Sequence, residues 1–355
     1  MEKKYDFLIE NNDCENLDEL IELTKTYYSD CDVVNKSYLS WQYFNNPAGK
    51  PLLITSREKI SNELAGQYLV IPIKYNIKGE CILGSLSLNT LTSPKYQRNG
   101  LFIKMANATY QTCVKENIYF TTGFPNPNSY PGFVRKLKFN HLGDVPLLIK
   151  PLKILSIINT YFKRDQKKHG NTIQLKAIND TSIKEFDFSC TDLESKYSLF
   201  WNKIKNQYHL SSEKDYAFLK WRYFNIPTRE YKTYYFEENN IIKGIVVIKA
   251  GEVMGFNAAI LMDIMFFDDD SSIGDQMIKY VSKVSKNANL DFIATLHSKS
   301  YEYKSLKKNG FYKLPDKILP QKIHFIVRQN IPFNNSKQLI EESNWKLSFG
   351  DYDVF

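Results

Sequence analysis

Hydrophobic and polar positions along the chain switch between two periods, and the switches mark out its elements. Residues 52–55, 65–72 and 81–90 are short apolar or alternating runs that read as strands, and Ser93-Pro94 ends the last of them. From Gly100 onward Leu101, Phe102, Met105, Ala106, Ala108, Thr109 and Cys113 recur at helical spacing. Lys104, Gln111 and Lys115 fall on the other side, which predicts an amphipathic helix with Cys113 in the core. Residues 118–124 predict another strand. Pro125-Asn126-Pro127-Asn128-Ser129-Tyr130-Pro131 then predicts a turn into a short helix that ends at Leu137-Lys138-Phe139, with Asn128 or Ser129 as its cap.

The same order of elements comes round a second time. Trp41-Gln42-Tyr43-Phe44-Asn45-Asn46-Pro47 returns at residue 221 as Trp221-Arg222-Tyr223-Phe224-Asn225-Ile226-Pro227. Each copy closes a helical stretch and is followed by two strands, at 232–236 and 241–248 in the second copy, and Asn309-Gly310-Phe311 echoes Leu137-Lys138-Phe139. One fold present twice is the simplest account. The expected class is α/β (α+β), two tandem domains, each a mixed, mostly antiparallel sheet flanked by helices. Residues 1–155 form the first domain, 156–175 a polar linker around Lys163-Arg164-Asp165-Gln166-Lys167-Lys168-His169-Gly170-Asn171, 176–335 the second domain, and 336–355 a tail packed on the domains.

Composition narrows the function classes. A chain of 355 residues suits two domains, and 43% hydrophobic with 24% charged residues suits a folded protein. The 24 Tyr and 23 Phe either fill aromatic cores or line a sugar or nucleotide cleft. A net charge of +8 favours an anionic ligand, but it is spread along the chain, so no nucleic-acid partner is expected. Five cysteines without CxxC spacing and an N-terminus, MEKKYDF, without an apolar run lead to an expected cytoplasmic location. No apolar run has bilayer length, so no transmembrane segment is expected.

The chemistry concentrates after the 81–90 strand. A strand, a tight polar loop and a helix whose first N–H groups lack partners make an anion cradle, and they also make an ordinary strand-to-helix turn. Tyr96-Gln97-Arg98-Asn99-Gly100-Leu101-Phe102 resembles the acyl-CoA signature Q/R-x-x-G-x-G/A of the GNAT superfamily of N-acetyltransferases. Gln97 and Gly100 match it, and Phe102 stands where a small residue is usual. The resemblance runs over roughly residues 40–145.

Several roles follow from that resemblance. Gln97, Arg98, Asn99, Gly100, Leu101 and Phe102 would hold the pyrophosphate of acetyl-CoA; Leu88, Asn89 and Thr90 would line the pantetheine and supply oxyanion donors; and Asn128 would contact the cofactor. The site would take a small-molecule amine, expected to be an amino sugar, against Trp41, Tyr43, Phe124 and Asn126. Tyr130 is the candidate catalytic acid, because Val134 and, in the second copy, Leu306 stand where many relatives carry a Tyr. The histidines lack metal-ligand spacing, His141 reads as a surface or strand residue, and no metal is expected.

In the second copy Asp268-Asp269-Asp270 replaces the loop and would repel a pyrophosphate. The ending, residues 345–355, resembles those of tandem GNAT proteins of bacterial surface-polysaccharide synthesis. There Asp351 or Asp353 would orient an acceptor amine, or the tail would simply pair as a strand. The expected activity is acetyl-CoA-dependent N-acyl transfer to an amino sugar or amino-sugar nucleotide. A Fem-like aminoacyl-tRNA-dependent transferase and a non-catalytic GNAT-fold binding module are the alternatives.

Overall fold

The computed structural model of the chain describes residues 5–14, 16–157, 173–267, 270–319 and 321–352. The expected linker and its basic run lie mostly outside the described residues, as do Asp268, Asp269 and Asp353. Two compact units emerge. Unit 1 comprises Met1–Asp144, Asn225–Arg229 and Ile323–Glu342, and unit 2 comprises Val145–Phe224, Glu230–Lys322 and Ser343–Phe355.

Unit 1 begins with β1 (Phe7–Asn12), α1 (Leu17–Lys25) and α2 (Lys36–Phe44), followed by a meander of β2 (Leu52–Glu58), β3 (Leu64–Ile77) and β4 (Glu80–Thr92). Next come α3 (Leu101–Lys115), β5 (Phe120–Gly123), α4 (Tyr130–Lys136) and β6 (Asn140–Asp144). Unit 2 takes β7 (Leu147–Pro151), β8 (Ile183–Glu185), α5 (Thr191–Ile204), β9 (Leu210–Ser212), α6 (Tyr216–Tyr223), β10 (Lys232–Glu238), β11 (Ile241–Val253) and β12 (Phe256–Phe266). It continues with α7 (Ser271–Asn287), β13 (Phe292–Leu296), α8 (Tyr301–Lys308) and β14 (Tyr312–Lys313); β15 (His324–Gln329) follows and belongs to unit 1.

The repeat has a physical basis at α2 and α6. Asn35 caps α2, its side chain accepting from the N–H groups of Ser37 and Tyr38, and Asp215 caps α6 by accepting from Phe218. Both helices then bury their Trp and Tyr: Trp41 and Tyr43, Trp221 and Tyr223. Lys138 and Gly310, which follow α4 and α8, share a left-handed φ of 59° and 84°, and each turns the chain so that Phe139 or Phe311 enters the core.

The two sheets run β1-β2-β3-β4-β5-β15-β6 and β14-β7-β13-β12-β11-β10-β8. In each, the strand next to one edge is supplied by a distant stretch of chain. β15 lies antiparallel between β5 and β6, and β7 lies antiparallel between β13 and β14. The boundary expected at 155 and the tail expected from 336 therefore give way to interleaved segments. Because β7 leaves at residue 145, sheet 1 is completed by residues 324–329. Arg328 seats that strand, its Nε donating to the Leu137 carbonyl at 3.1 Å and its guanidinium lying 4.1 Å from the Tyr110 ring.

Candidate functional site

The site in unit 1 begins where two parallel strands part. β4 pairs with β5 only from Ser85–Thr121 to Ser87–Gly123, while β4 itself continues to Thr92. Just past the parting, Asn89 and Thr90 together oppose the single residue Tyr68 of β3, a bulge in which Asn89 takes φ 49°. Side chains fix this shape. Gln67 Nε2 donates to the Asn89 carbonyl at 2.9 Å, and Asn89 Nδ2 donates to Gln42 Oε1 and to the Tyr43 hydroxyl, each at 3.0 Å. Asn89 and Tyr43 thus spend their side chains on each other. Trp41 is buried and packs on Tyr38, and burial pushes the Tyr43 phenol up from its ordinary range.

From the bulge the chain enters the loop before α3. Arg98 and Gly100 both adopt left-handed backbone, φ 66° and 71°. Asn99 Nδ2 donates to the carbonyls of Tyr96 and Gln97, while Gln97 Nε2 donates to the Tyr27 hydroxyl at 2.7 Å, which in turn donates to the Thr92 carbonyl. These bonds commit the side chains of Gln97 and Asn99 to holding the loop. The main chain is left available: α3 has no side-chain cap, and no backbone N–H of residues 98–103 has an acceptor among the described residues. Unpartnered N–H groups at the positive end of a 15-residue helix favour an anion. Gly100 faces open space and Arg98 is exposed.

Phe102, where a small residue is usual, reaches from α3 onto α4. Its ring is half-buried against Tyr68 and Phe133, with centroids 5.7 and 5.3 Å away, and presses on Gly132, where a Cβ would come within 2.7 Å of it. The large side chain on α3 is matched by the missing one on α4.

The turn into α4 is held by Asn126. Its Oδ1 accepts from the N–H groups of Asn128 and Ser129, each at 3.0 Å, whereas Ser129, at the N-cap position, makes no cap bond to the helix. Capping by Asn128 or Ser129 is thus corrected to an Asn126 turn, whose Oδ1 lies two residues before the nearest N–H it serves. Asn128 is exposed, and Phe124 packs on Phe325 at 5.2 Å.

Tyr130 opens α4 and stands over a cluster the sequence did not reveal. Its ring lies 4.4 Å from that of His324 and 5.4 Å from that of His141. His324 Nδ1 donates to Asp144 Oδ1 at 2.6 Å, and His141 Nε2 lies 3.3 Å from the same oxygen. In a regular strand His141 and Asp144, three residues apart, face opposite sides. An extra residue in β6, Leu142, breaks the pairing with β15 and brings both to the side of His324. Among the described residues, these are the three whose potential metal-ligand atoms gather within 4.8 Å. Only the return of β15 to this sheet joins them, so spacing along the chain carried no signal.

No family model and no curated protein matches the sequence. Solved structures do. N-myristoyltransferase of Saccharomyces cerevisiae with bound myristoyl-CoA superposes with a TM-score of 0.61 at 12% identity, covering 91% of this chain and 82% of that one. A GCN5-related N-acetyltransferase from Anabaena variabilis gives 0.58 at 11%, covering 92% and 73%. A protein of unknown function from Enterococcus faecalis, designated a probable N-acyltransferase, gives 0.58 at 10%, covering 91% and 73%. The fold is that of the GCN5-related N-acyltransferases.

Unit 2 also holds a pair of parallel strands that separate, and here the gap is closed. β12 and β13 pair in parallel only from Ala258–Phe292 to Ile260–Ala294, and β12 bulges just beyond, at Met262. The C-terminal segment fills the gap. The Ser298 N–H donates to the Leu347 carbonyl and the Leu347 N–H to Ser298 Oγ, each at 2.9 Å, while Ser348 bridges to His297. Beneath it, Asp263 is fully buried and accepts from Lys214 Nζ at 2.5 Å, Ser348 Oγ at 2.5 Å, Lys346 Nζ at 3.2 Å and the Tyr223 hydroxyl. Burial alone would raise its carboxyl; the two ammonium groups outweigh it and hold Asp263 well below the usual carboxylate range. Asp351 accepts from Ser212, Ser348 and Lys214, so its carboxylate serves this cluster. The helix start is closed too, because Asp270 caps α7 by accepting from the Ser272 N–H at 3.0 Å.

Proposed function

We propose that the protein is an acyl-CoA-dependent N-acyltransferase of tandem GNAT type whose unit 1 holds the coenzyme. Acetyl is the transferred group, and an amino sugar or amino-sugar nucleotide of surface-glycan synthesis is the acceptor. The observation that carries the reading is the contrast between the two helix starts. α3 has free N–H groups and a left-handed Gly100 beside parted strands, whereas α7 carries its own carboxylate cap beside strands filled by the chain's end. Of two similar folds, one can receive an anion and an extended arm.

In the proposed reaction the pyrophosphate lies on the N–H groups of residues 98–103, with Arg98 at hand for its charge. Leu88, Asn89 and Thr90, past the last β4–β5 pair, run alongside the pantetheine, and a main-chain N–H of this stretch stabilises the oxyanion as the neutral amine attacks. Tyr130, Phe124, Asn126 and Asn128 border the region where the acyl group ends. Tyr43 contributes by fixing the Asn89 bulge, and Trp41 by packing in the core beside Tyr38. The absence of CxxC spacing fits a cytoplasmic protein, and no helix among the described residues is long and apolar enough to cross a membrane.

Thiol release from acetyl-CoA across a panel of amino sugars and amino-sugar nucleotides, with calorimetric titration of acetyl-CoA, tests the reading. Saturable binding with amine-dependent release supports it. Absence of binding would sink it, and binding without turnover would favour the non-catalytic module.

A further inference from the structure

The acyl transfer requires a proton to leave the amine and one to reach the departing sulfur, and the Tyr found in many relatives of this fold is Val134 here. We propose that His324, held by Asp144, moves that proton, taking it from the acceptor nitrogen and giving it to the coenzyme A sulfur. This rests on the acyltransferase reading above.

Three features of the cluster point to this. First, the hydrogen bond from Nδ1 to Asp144 Oδ1 sets the ring so that Nε2 presents a lone pair, and Nε2 has no partner among the described residues. A carboxylate that orients an imidazole and stabilises its cation is the arrangement that lets one histidine accept and then return a proton. Second, the position is right. β15 runs antiparallel to β5 with Ile326 opposite Gly123, the last residue of β5 to pair with β4. His324, two residues further, lies level with the parting, one strand beyond β5. Two strand spacings, roughly 10 Å, separate it from the line of β4. Third, the face is right. Ile326, of the same parity, packs with α3 and α4, and the His324 ring stacks on Tyr130 at the start of α4. The imidazole is therefore on the side where α3 would deliver the coenzyme. The ionisable groups that face it are Asp144, His141 and the Tyr130 phenol.

The chemistry balances without another reagent. A C–N bond forms and the C–S bond breaks; the nitrogen proton passes to Nε2 of His324 and then to the thiolate, giving the amide and coenzyme A. Asp144 is a positioning residue.

The test uses the full chain with acetyl-CoA, and glucosamine with the amino-sugar nucleotides as amine probes. His324→Asn and Asp144→Asn should bind acetyl-CoA within about threefold of the parent while thiol release falls about a hundredfold. Added imidazole should restore part of the rate to His324→Gly, which a merely structural role would not allow. Retention of more than about a third of the rate in His324→Asn overturns the assignment. So does thiol release that depends on a zinc ion lost with His141→Ala, or acetyl-CoA binding with no release by the parent. Failure of the parent to bind acetyl-CoA would instead remove the acyltransferase reading itself.

Discussion

Removing the Asp263 carboxylate should cost more stability than almost any other single change in unit 2. Lys214 and Lys346 are 1% and 2% exposed, and Asp263 is the carboxylate they share, with Asp351 touching Lys214 only at 3.4 Å. Asp263→Asn would leave two buried ammonium groups facing a neutral amide. Breaking a buried pair from one side costs about 3–5 kcal/mol, which for a unit of this size lowers the melting temperature by roughly 10 °C or more. The stranded charge is the cause, so Asp263→Asn with Lys346→Met should regain about 1–2 kcal/mol over Asp263→Asn alone. The pH dependence has a definite sign. The folded carboxyl titrates below its ordinary value of 3.8, so its contribution is present above that pH and is lost as pH falls towards the folded value. Calorimetric melts from neutral pH to pH 3 should therefore show parent and Asp263→Asn far apart at neutrality and converging below about pH 4. A melting temperature within about 3 °C of the parent at neutral pH, or a gap that widens on acidification, would refute the reasoning.

Phe102→Ala should cost about 2 kcal/mol by opening a half-buried void against Gly132 and Phe133, with the acetyl-CoA Kd per folded molecule almost unchanged; an intact melt with a Kd weakened more than about thirtyfold would mean the ring touches the coenzyme. Lys138→Gly should raise stability by about 0.5–1 kcal/mol in urea titrations, since Lys138 holds the left-handed conformation that Gly310 takes in unit 2. Burial pushes the thiols of Cys14 and Cys113 up to about 12, so both should resist thiol reagents at pH 8 until the chain is denatured, whereas the exposed Cys31 and Cys81 react at once.

Much of the fold was legible because its signals are local. The period-2 and period-3.6 runs placed β2, β3, β4 and α3, and the repeated Trp-x-Tyr-Phe-Asn-x-Pro marked α2 and α6, since each such helix buries its own Trp and Tyr. Phe102 stood out by size alone; its partner, Gly132, was visible only in three dimensions. What could not be read is what distant segments bring together. Nothing in residues 324–329 says that they fill a gap left by residues 147–151, so the His324–Asp144 pair had no sequence signature. Nothing local marks Lys214 and Lys346 as buried; the C-terminal segment and β12 bury them around Asp263. Asn126 rather than Ser129 governs the start of α4 because a side chain two residues before the first N–H it serves closes the tighter turn.

The central claim is that the open start of α3 holds the coenzyme, and titration of acetyl-CoA into Gly100→Asp tests it most directly. No atom lies within 4 Å of where the new Cβ would stand, and Asp tolerates left-handed backbone, so the fold should lose only about 1 kcal/mol. A carboxylate about 4–5 Å from the pyrophosphate should weaken binding a hundredfold or more. The parent chain should bind one acetyl-CoA, Gly100→Asp should bind almost none, and Asp270→Asn should bind as the parent does; binding that survives Gly100→Asp, or two molecules per chain, would contradict a coenzyme site at α3.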